Sequence, residues 1–174
     1  MTGSAKPVLY SYWRSSCSWR VRSALAFKNV DYEYKAVNLL KREQLSDEFK
    51  EKNPVGAVPS LSINGRSVAE SLAILEYLEE KHPEPSLLPK DLLDRSVVRA
   101  ICLQICAGIQ PLQNLKVTQH IGKEKAQDWS RHWITVGFDA LEKSLKKTAG
   151  KYCFGDSVTM ADCCLVPQVY NARR

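Results

Sequence analysis

The clearest signal of secondary structure lies at residues 60–69, which are Ser60-Leu61-Ser62-Ile63-Asn64-Gly65-Arg66-Ser67-Val68-Ala69. Its first half alternates serines with the apolar Leu61 and Ile63, a period of two that is typical of a β-strand. Asn64-Gly65 then supplies the residue pair that two-residue hairpin turns favour, because both turn positions need a positive φ. The stretch therefore predicts a β-hairpin with strands at 60–63 and 66–69.

The elements on either side of the hairpin alternate between strand and helix patterns. Towards the N-terminus, strands are predicted at 8–12 and 31–37, with a helix between them at 18–28 whose apolar residues recur at helical spacing. A short polar helix is predicted at 46–52. After the hairpin, Ser71 opens a further helix that runs to Lys81.

The predicted element order of the first half is βαβαββα. A strand-helix-strand unit gives a parallel pair of strands, and the hairpin adds an antiparallel pair. This order is the layout of an α/β thioredoxin-like domain, which we assign to residues 1–84.

The rest of the chain is predicted to be helical. Residues 82–86, with prolines at 83 and 85, interrupt the helix, and we assign a linker to 85–90 and an all-α domain to 91–174. Two apolar stripes at helical spacing support the all-α assignment. Their members are Val98, Ile101, Cys102 and Ile105 in one, and Ala126, Trp129, Trp133, Val136, Ala140 and Leu141 in the other. The chain stops at Arg174 inside a helical pattern, so we expect the second domain to be truncated at its C-terminus.

A capping box is predicted near the last helix. Thr159 is followed three residues later by Asp162, which has the spacing of a helix N-cap and its reciprocal acceptor. Capping needs only these residue types at this spacing, so we favour a structural role for both residues.

The net charge of +6 fits an anionic small-molecule ligand at least as well as nucleic acid. The tightest basic group, Lys143, Lys146 and Lys147, has the spacing of a solvated helix face, which argues against a nucleic-acid partner. No apolar run approaches the ~20 residues that a membrane span needs, so no membrane partner is expected.

The chain has six cysteines and three histidines. Their spacing matches neither a metal site nor a Cys-x-x-Cys redox motif, so no metal is expected. Residues 1–7 are short and polar rather than typical of a signal peptide. We therefore expect reduced cysteines and a cytoplasmic location.

The stretch Ser15-Ser16-Cys17-Ser18 lies between the first strand and the first helix. A helix N-terminus offers N–H donors and partial positive charge, and a serine hydroxyl there can donate to a thiolate. Taken alone, these serines are better explained as helix caps, because serine is a favoured N-cap. Cys17 is itself placed where a thiol can act as a nucleophile.

The string Ser15-Ser16-Cys17-Ser18-Trp19-Arg20-Val21-Arg22 closely resembles the signature of the zeta-class glutathione transferases, also known as maleylacetoacetate isomerases. The resemblance covers residues 6–174, and the eight-residue string is its specific part. Weaker matches follow at Asn53-Pro54, Val58-Pro59, Glu70-Ser71, Gly108 to Leu115 and Val158 to Asp162.

The resemblance implies a glutathione transferase fold with glutathione as cofactor. It favours Ser15 as the activating hydroxyl, with Ser16 and Cys17 as further catalytic residues. It also implies a cis bond before Pro59, which turns the Val58 backbone towards an extended peptide. The glutathione-binding residues it implies are Ser15, Ser16, Cys17, Ser18, Trp19, Arg20, Gln44, Val58, Pro59, Glu70, Ser71, Gln110 and Asn114.

The implied function is glutathione-dependent isomerisation of maleylacetoacetate to fumarylacetoacetate, in tyrosine and phenylalanine catabolism, by a homodimer. The resemblance further implies transferase activity on small α-haloacids, and it places Arg174 against a substrate carboxylate. Two alternatives stay open: a thioltransferase that works through Cys17, and a non-catalytic assembly module.

Two features depart from the family's pattern. Many members have Gln where this chain has Glu70, which should alter the charge near the glutathione site. Members usually continue with a further helical stretch beyond the position of Arg174, which puts the completeness of the substrate pocket in question.

Overall fold

The computed structural model describes residues 6–174. The chain divides into two compact units, one that ends at Ser86 and one that begins at Leu87. Leu87 and Leu88, which lie within the predicted linker, are both buried. Within the described residues no helix is both long and apolar enough to cross a membrane.

The first unit contains a four-stranded sheet: β1 (Val8–Ser11), β2 (Glu33–Ala36), β3 (Ser60–Ile63) and β4 (Arg66–Ala69). The strand order is β2-β1-β3-β4, with β1 and β2 parallel and the other neighbours antiparallel. The predicted hairpin is confirmed at the predicted residues, and Asn64 and Gly65 have φ values of 49° and 79°. This mixed sheet confirms the thioredoxin-like fold.

The helices of the first unit are α1 (Ser16–Phe27), α2 (Asp47–Lys50) and α3 (Ser71–Lys81), with a 3-10 turn at Glu43–Leu45. Helix α1 begins two residues before the predicted position because Ser15 caps it. The helix predicted at 46–52 is shorter in the structure, because α2 starts after the cap Ser46 and ends at Lys50, and the 3-10 turn lies before it.

The predicted strand at 31–37 is also longer than the observed strand. Strand β2 has only four residues, all exposed, because it is an edge of the sheet with one neighbour. Alternation of apolar and polar residues does not reveal where the pairing of an edge strand ends.

The core of the first unit lies where α1 and α3 pack together beside the central strands. Its fully or nearly fully buried side chains are Leu9, Val21, Ala24, Leu25, Leu61, Ile74, Leu75 and Leu78.

A buried ion pair closes the far end of this unit. The Lys28 Nζ lies 2.7 Å from a Glu79 carboxylate oxygen and donates to the carbonyls of His82 and Pro85 at 2.6 and 2.9 Å. The other Glu79 oxygen accepts from the Ser86 hydroxyl at 2.7 Å. Since each charge has several partners, neither is buried without compensation. The pair joins α1 and α3 to residues 82–86 at the end of the unit.

The second unit contains α4 (Leu92–Leu103), α5 (Leu115–Ile121), α6 (Lys123–Thr148) and α7 (Met160–Ala172). A π-helical segment, Gln104–Ile109, and a 3-10 turn, Gln110–Gln113, follow α4. The stripe predicted on α4 is buried throughout, at Val98, Ile101, Cys102 and Ile105.

The stripe predicted on α6 is partly wrong. Val136 and Ala140 are exposed, whereas Ile134 and Phe138 are half-buried on the same side as Ala126, Trp129 and Trp133. The error arises because this long helix has apolar residues on two faces, and the sequence does not say which face meets a neighbour.

The capping box of α7 is confirmed. One Asp162 oxygen accepts from the Thr159 N–H at 2.7 Å and from the Thr159 hydroxyl at 2.9 Å. The other accepts from the Cys153 N–H at 2.9 Å. Asp162 therefore joins the start of α7 to the loop before it, which makes it more than a local cap.

Asp162→Ala should lower the free energy of unfolding by about 2–4 kcal/mol, because three donors lose a charged acceptor. Urea unfolding followed by circular dichroism measures the effect. Asp139→Ala is the control, since Asp139 lies exposed on α6, and it should change stability by less than about 0.5 kcal/mol. Equal unfolding midpoints for the two variants would contradict this role of Asp162.

Candidate functional site

Three segments of the first unit end at the same edge of the sheet. Tyr10 of β1 pairs with Ser60 of β3, and Ser60 pairs with Ala69 of β4. The chain leaves β1 towards Ser15, enters β3 through Val58 and Pro59, and leaves β4 through Glu70 into α3. Strand register therefore brings the segments that contain Ser15, Val58 and Glu70 to the same end of the sheet.

Ser15 is the N-cap of α1. Its backbone is extended, with φ −74° and ψ 117°, and its Oγ accepts from the Ser18 N–H at 3.2 Å. A hydroxyl has two acceptor lone pairs and one donor hydrogen, so this contact leaves the hydrogen available. The cap role and a donor role for Ser15 are thus compatible, because they use different parts of one hydroxyl.

Arg22 fastens the loop that leads to Ser15. Its Nη1 donates to the Ser11 hydroxyl at 2.9 Å and the Tyr12 carbonyl at 3.2 Å, and its Nη2 donates to the Trp13 carbonyl at 3.1 Å. The Ser15 N–H also donates to the Tyr12 carbonyl, at 3.0 Å. No pattern in the sequence predicts this role for Arg22, because only the folded loop brings three acceptors to one guanidinium.

The first turn of α1 contains both accessible and buried members of the signature string. Ser16, Cys17 and Trp19 are half-buried, so part of each reaches the surface. Ser18 and Arg20 are buried, at 0% and 2% exposure. We therefore place Ser18 and Arg20 beneath the surface of the candidate site.

Arg20 links the starts of two helices. Its Nη1 donates to the Ser71 Oγ at 3.0 Å, and both residues are buried. This bond holds the N-terminus of α1 beside the N-terminus of α3. Two helix starts at one edge concentrate N–H donors and partial positive charge, which favour an anionic ligand.

The Val58-Pro59 peptide bond is cis, as the family resemblance implies. The Val58 side chain packs in a buried cluster with Val37 and Phe49, which fixes its position. Within residues 6–174, neither the N–H nor the C=O of Val58 has a hydrogen-bond partner. A backbone in this state can pair with an extended peptide that is added beside it.

The loop before Val58 is held from both sides. The Asn53 Nδ2 donates to the Ala57 carbonyl at 2.6 Å, and its Oδ1 accepts from the Val55 N–H at 3.1 Å. Gly56 has a φ of 63°, and a Cβ there would lie 3.1 Å from the Gln44 carbonyl oxygen. Gln44 is half-buried and its side-chain Oε1 has no partner within the described residues. The packing at Gly56 thus places the Gln44 backbone next to the segment that leads to Val58.

Glu70 has strained backbone geometry at the start of α3. Its φ is 67°, a value that non-glycine residues rarely adopt, and its side chain is exposed. Its carbonyl accepts from the Ile74 N–H at 3.0 Å, so the strained residue also begins the helix. Strain of this kind clusters at ligand sites, where the surrounding structure maintains it.

The remaining predicted residues lie in the second unit. Gln110 begins the 3-10 turn and is half-buried. Asn114 caps α5, and its Oδ1 accepts from the Lys116 N–H at 3.1 Å. The amide of Asn114 therefore already has a structural role.

Arg174 lines a cavity of about 530 Å³ in the second unit, together with Gln113, Arg131, Asn171 and Arg173. The Asn171 Nδ2 donates to the Gln113 Oε1 at 2.7 Å, while the Gln113 Nε2 has no partner within residues 6–174. An unpaired amide donor and three guanidinium groups suit a carboxylate. The sequence did not point to Arg131, because its place beside the end of α7 depends on how α6 packs.

The family model described as "Glutathione S-transferase, N-terminal domain" matches residues 9–86. Maleylacetoacetate isomerase of Rattus norvegicus is 57% identical over 173 residues, which cover 98% of this chain and 80% of that protein.

Two solved structures are similar to the whole chain. Maleylacetoacetate isomerase of Anaeromyxobacter dehalogenans, with glutathione bound in its active site, is 46% identical with a TM-score of 0.88, over 97% of this chain and 82% of that one. A bacterial maleyl pyruvate isomerase, a glutathione transferase of the zeta class, is 43% identical with a TM-score of 0.92 and covers 96% and 82%.

Gly56→Ala should weaken glutathione binding about tenfold, which corresponds to ~1.4 kcal/mol, because the new methyl group displaces Gln44 and the Val58 segment. Gly65→Ala is a matched control: it also imposes a positive φ on alanine, but its Cβ meets nothing within 4 Å. Isothermal titration calorimetry of the folded variants measures both dissociation constants. Equal weakening in the two variants would show that backbone strain lowers the affinity and that displacement of Gln44 does not.

Proposed function

The chain belongs to the zeta-class glutathione transferases, the family of the maleylacetoacetate isomerases, and on this premise we propose that it isomerises maleylacetoacetate to fumarylacetoacetate with glutathione as cofactor. The observation that carries the proposal is Ser15, which caps α1 through its oxygen and keeps a hydroxyl hydrogen for a thiolate. The identity of 57% to a named isomerase over nearly the whole chain supports the choice of reaction.

The reaction needs glutathione as a thiolate near neutral pH. Its thiol has an ordinary pKa of about 8.5, and a fall of roughly two units requires ~2.7 kcal/mol. The dipole of α1 supplies about 0.3–1 kcal/mol. A hydrogen bond from a hydroxyl to a charged sulfur supplies about 1.5–3 kcal/mol. The helix alone is therefore insufficient, and the Ser15 hydroxyl makes up the difference.

In this proposal, glutathione binds through groups at the end of the sheet where Val58 and Ser71 lie. Its cysteinyl unit pairs with the open Val58 backbone as an added strand. Its γ-glutamyl carboxylate meets Ser71 at the start of α3, and its ammonium group meets the exposed Glu70. The side chain of Gln44, whose buried Oε1 has no partner within the described residues, turns to accept from an N–H of the tripeptide. Ser16, Cys17 and Trp19 line the surface around the thiol, while Ser18 and Arg20 support it from below.

The thiolate adds to the cis double bond of the substrate, which forms a carbon–sulfur bond and leaves a single bond between the former alkene carbons. Rotation about that bond and expulsion of the thiolate then give the trans product. Glutathione is regenerated in each cycle and acts as a true cofactor. With a small α-haloacid, the same thiolate would displace halide and glutathione would be consumed.

We place Arg174 against a substrate carboxylate. A guanidinium meets a carboxylate through two parallel hydrogen bonds, which lysine cannot reproduce. The cavity around Arg174 also contains Arg131 and Arg173, so its charge suits a diacid.

We further propose a cytoplasmic homodimer that acts in tyrosine and phenylalanine catabolism. The exposed face of α4 presents Leu92, Leu93 and Leu103 at 78%, 73% and 50% exposure, an apolar surface that a second copy of the chain would cover. No disulfide joins any of the six cysteines, all of which the structure describes, and this suits a reducing compartment. Analytical ultracentrifugation tests the dimer, and a single species of 19.7 kDa would refute it.

Ser15→Ala should lower kcat for isomerisation at pH 7 by at least about tenfold, the equivalent of ~1.4 kcal/mol. The bound thiol then has a higher pKa, so the deficit is greatest at low pH and narrows as the pH rises. Ser15→Thr retains the hydroxyl and should restore most of the rate. A Ser15→Ala variant with the wild-type pH profile would leave Ser15 as a helix cap only.

Cys17→Ala should leave isomerisation largely intact, because the attacking sulfur belongs to glutathione. The assay is run with and without glutathione, since the proposal requires that activity disappear without it. Loss of activity in the variant would favour a thioltransferase that works through Cys17. A chain that fails to bind glutathione at all would instead be an assembly module.

Arg174→Gln should raise KM for the diacid by ten- to a hundredfold, or ~1.4–3 kcal/mol, and leave KM for glutathione unchanged. Arg173→Gln is the matched control, because it removes the same charge one residue away in the same cavity. Steady-state kinetics with each substrate varied in turn separates the two constants. An equal rise in both variants would indicate a general electrostatic effect rather than a specific contact.

A further inference from the structure

A pair of thiols lies in the second unit, outside the residues used above. The Cys106 Sγ and the Cys164 Sγ are 3.7 Å apart, although 58 residues separate them in the sequence. Cys106 lies in the π-helical segment after α4, and Cys164 lies in the middle of α7. Nothing in the isomerisation chemistry requires two thiols at this place.

We propose that Cys106 and Cys164 form a thiol–disulfide exchange site that reacts with glutathione disulfide and closes to a reversible intramolecular disulfide. The proposal does not use the isomerase reaction and is independent of Cys17. It concerns a modification of the second unit only.

The exposure of the two thiols sets the order of events. Cys106 is half-buried and reaches solvent, whereas Cys164 is 0% exposed. A disulfide in solution can therefore meet Cys106 but not Cys164. Cys106 is the entry thiol, which reacts first with the disulfide in solution. Cys164 is the resolving thiol, and its sulfur is in contact with that of Cys106.

The exchange balances without any further reactant. The deprotonated Cys106 sulfur attacks one sulfur of glutathione disulfide, which breaks that S–S bond and releases one glutathione. Cys164 then loses its proton, attacks the Cys106 sulfur and releases the second glutathione. The two protein thiols have lost two hydrogens in total, and glutathione disulfide has gained them as two thiols.

The local backbone suits the small movement that bond formation needs. The sulfur separation must shorten to about 2.05 Å. Cys106 lies in a π-helical turn, whose hydrogen bonding is looser than that of an α-helix and which often occurs at functional positions. The entry thiol is thus on the more adaptable of the two segments.

The other thiols of the second unit are poorly placed to compete. Cys102, Cys153 and Cys163 are 0%, 6% and 4% exposed. Burial, together with the Asp162 carboxylate beside it, raises the pKa of the Cys153 thiol far above its usual range, so Cys153 stays protonated. Of the five cysteines in this unit, all of which the structure describes, Cys106 alone is more than slightly exposed.

Closure of the disulfide would join two segments that lead to the cavity of Arg174. The π-helical segment runs directly into the turn that contains Gln110 and Gln113, and α7 ends just before Arg174. A covalent link between the π-helical segment and α7 fixes the distance between them. It should also raise the melting temperature of the oxidised protein.

The test uses the whole chain with Cys17→Ala, so that an adduct on Cys17 does not obscure the result. The reduced protein is incubated with glutathione disulfide, quenched by alkylation and mapped by non-reducing mass spectrometry. We expect a peptide cross-linked through Cys106 and Cys164, a fall from five alkylated cysteines to three after unfolding, and full reversal by dithiothreitol.

Two variants in the same background sharpen the result. Cys164→Ala should stop at a stable glutathione adduct on Cys106, and Cys163→Ala, its matched neighbour, should cross-link like the parent. The proposal fails if the parent protein keeps a persistent adduct on Cys106, links a different pair, or shows no reaction at Cys106. Circular dichroism shows whether each variant folds. If one does not, the cross-link in the parent protein, the whole chain with Cys17→Ala, decides the question by itself.

Discussion

The buried hydrogen bond from Arg20 to Ser71 is the contact on which the candidate site depends. Strand register brings the starts of α1 and α3 to one edge of the sheet, but register does not set the distance between two helices that follow loops. The Arg20 guanidinium sets that distance from below, with both partners out of solvent. The N–H donors of the two helix starts consequently lie side by side, and in the proposed binding mode both serve one ligand.

Ser15 shows why a capping residue and an activating residue need not exclude each other. The serine string by itself is consistent with a helix cap and with a donor to a thiolate, because both roles require a hydroxyl at the same position. The structure separates the oxygen, which accepts from Ser18, from the hydrogen, which remains free to donate. Arg22 keeps the Ser15 hydroxyl in position, since its three hydrogen bonds to residues 11–13 limit how far Ser15 can move.

Local signals predicted the parts of this fold that local physics determines. The hairpin at 60–69 follows from Asn64-Gly65, and the cap of α7 follows from Thr159 and Asp162, so both were found at the exact residues. The extent of β2, the buried face of α6 and the roles of Arg22 and Arg131 depend on what packs against them. No pattern in one sequence contains that information, whereas helix starts and turns are determined by the residues that form them.

The strain at Glu70 and its charge have to be considered together. A positive φ at a non-glycine residue costs about 1–3 kcal/mol, so the neighbouring contacts must maintain it. The Glu70 carboxylate lies at the start of α3, where the helix dipole favours it but where, in the proposed binding mode, the γ-glutamyl carboxylate of glutathione also binds. The two anions would repel each other unless the ligand's ammonium group lies between them. In the proposed binding mode, Glu70 therefore binds more favourably than glutamine only with a ligand that is zwitterionic at this end, as an intact γ-glutamyl group with a protonated amine is.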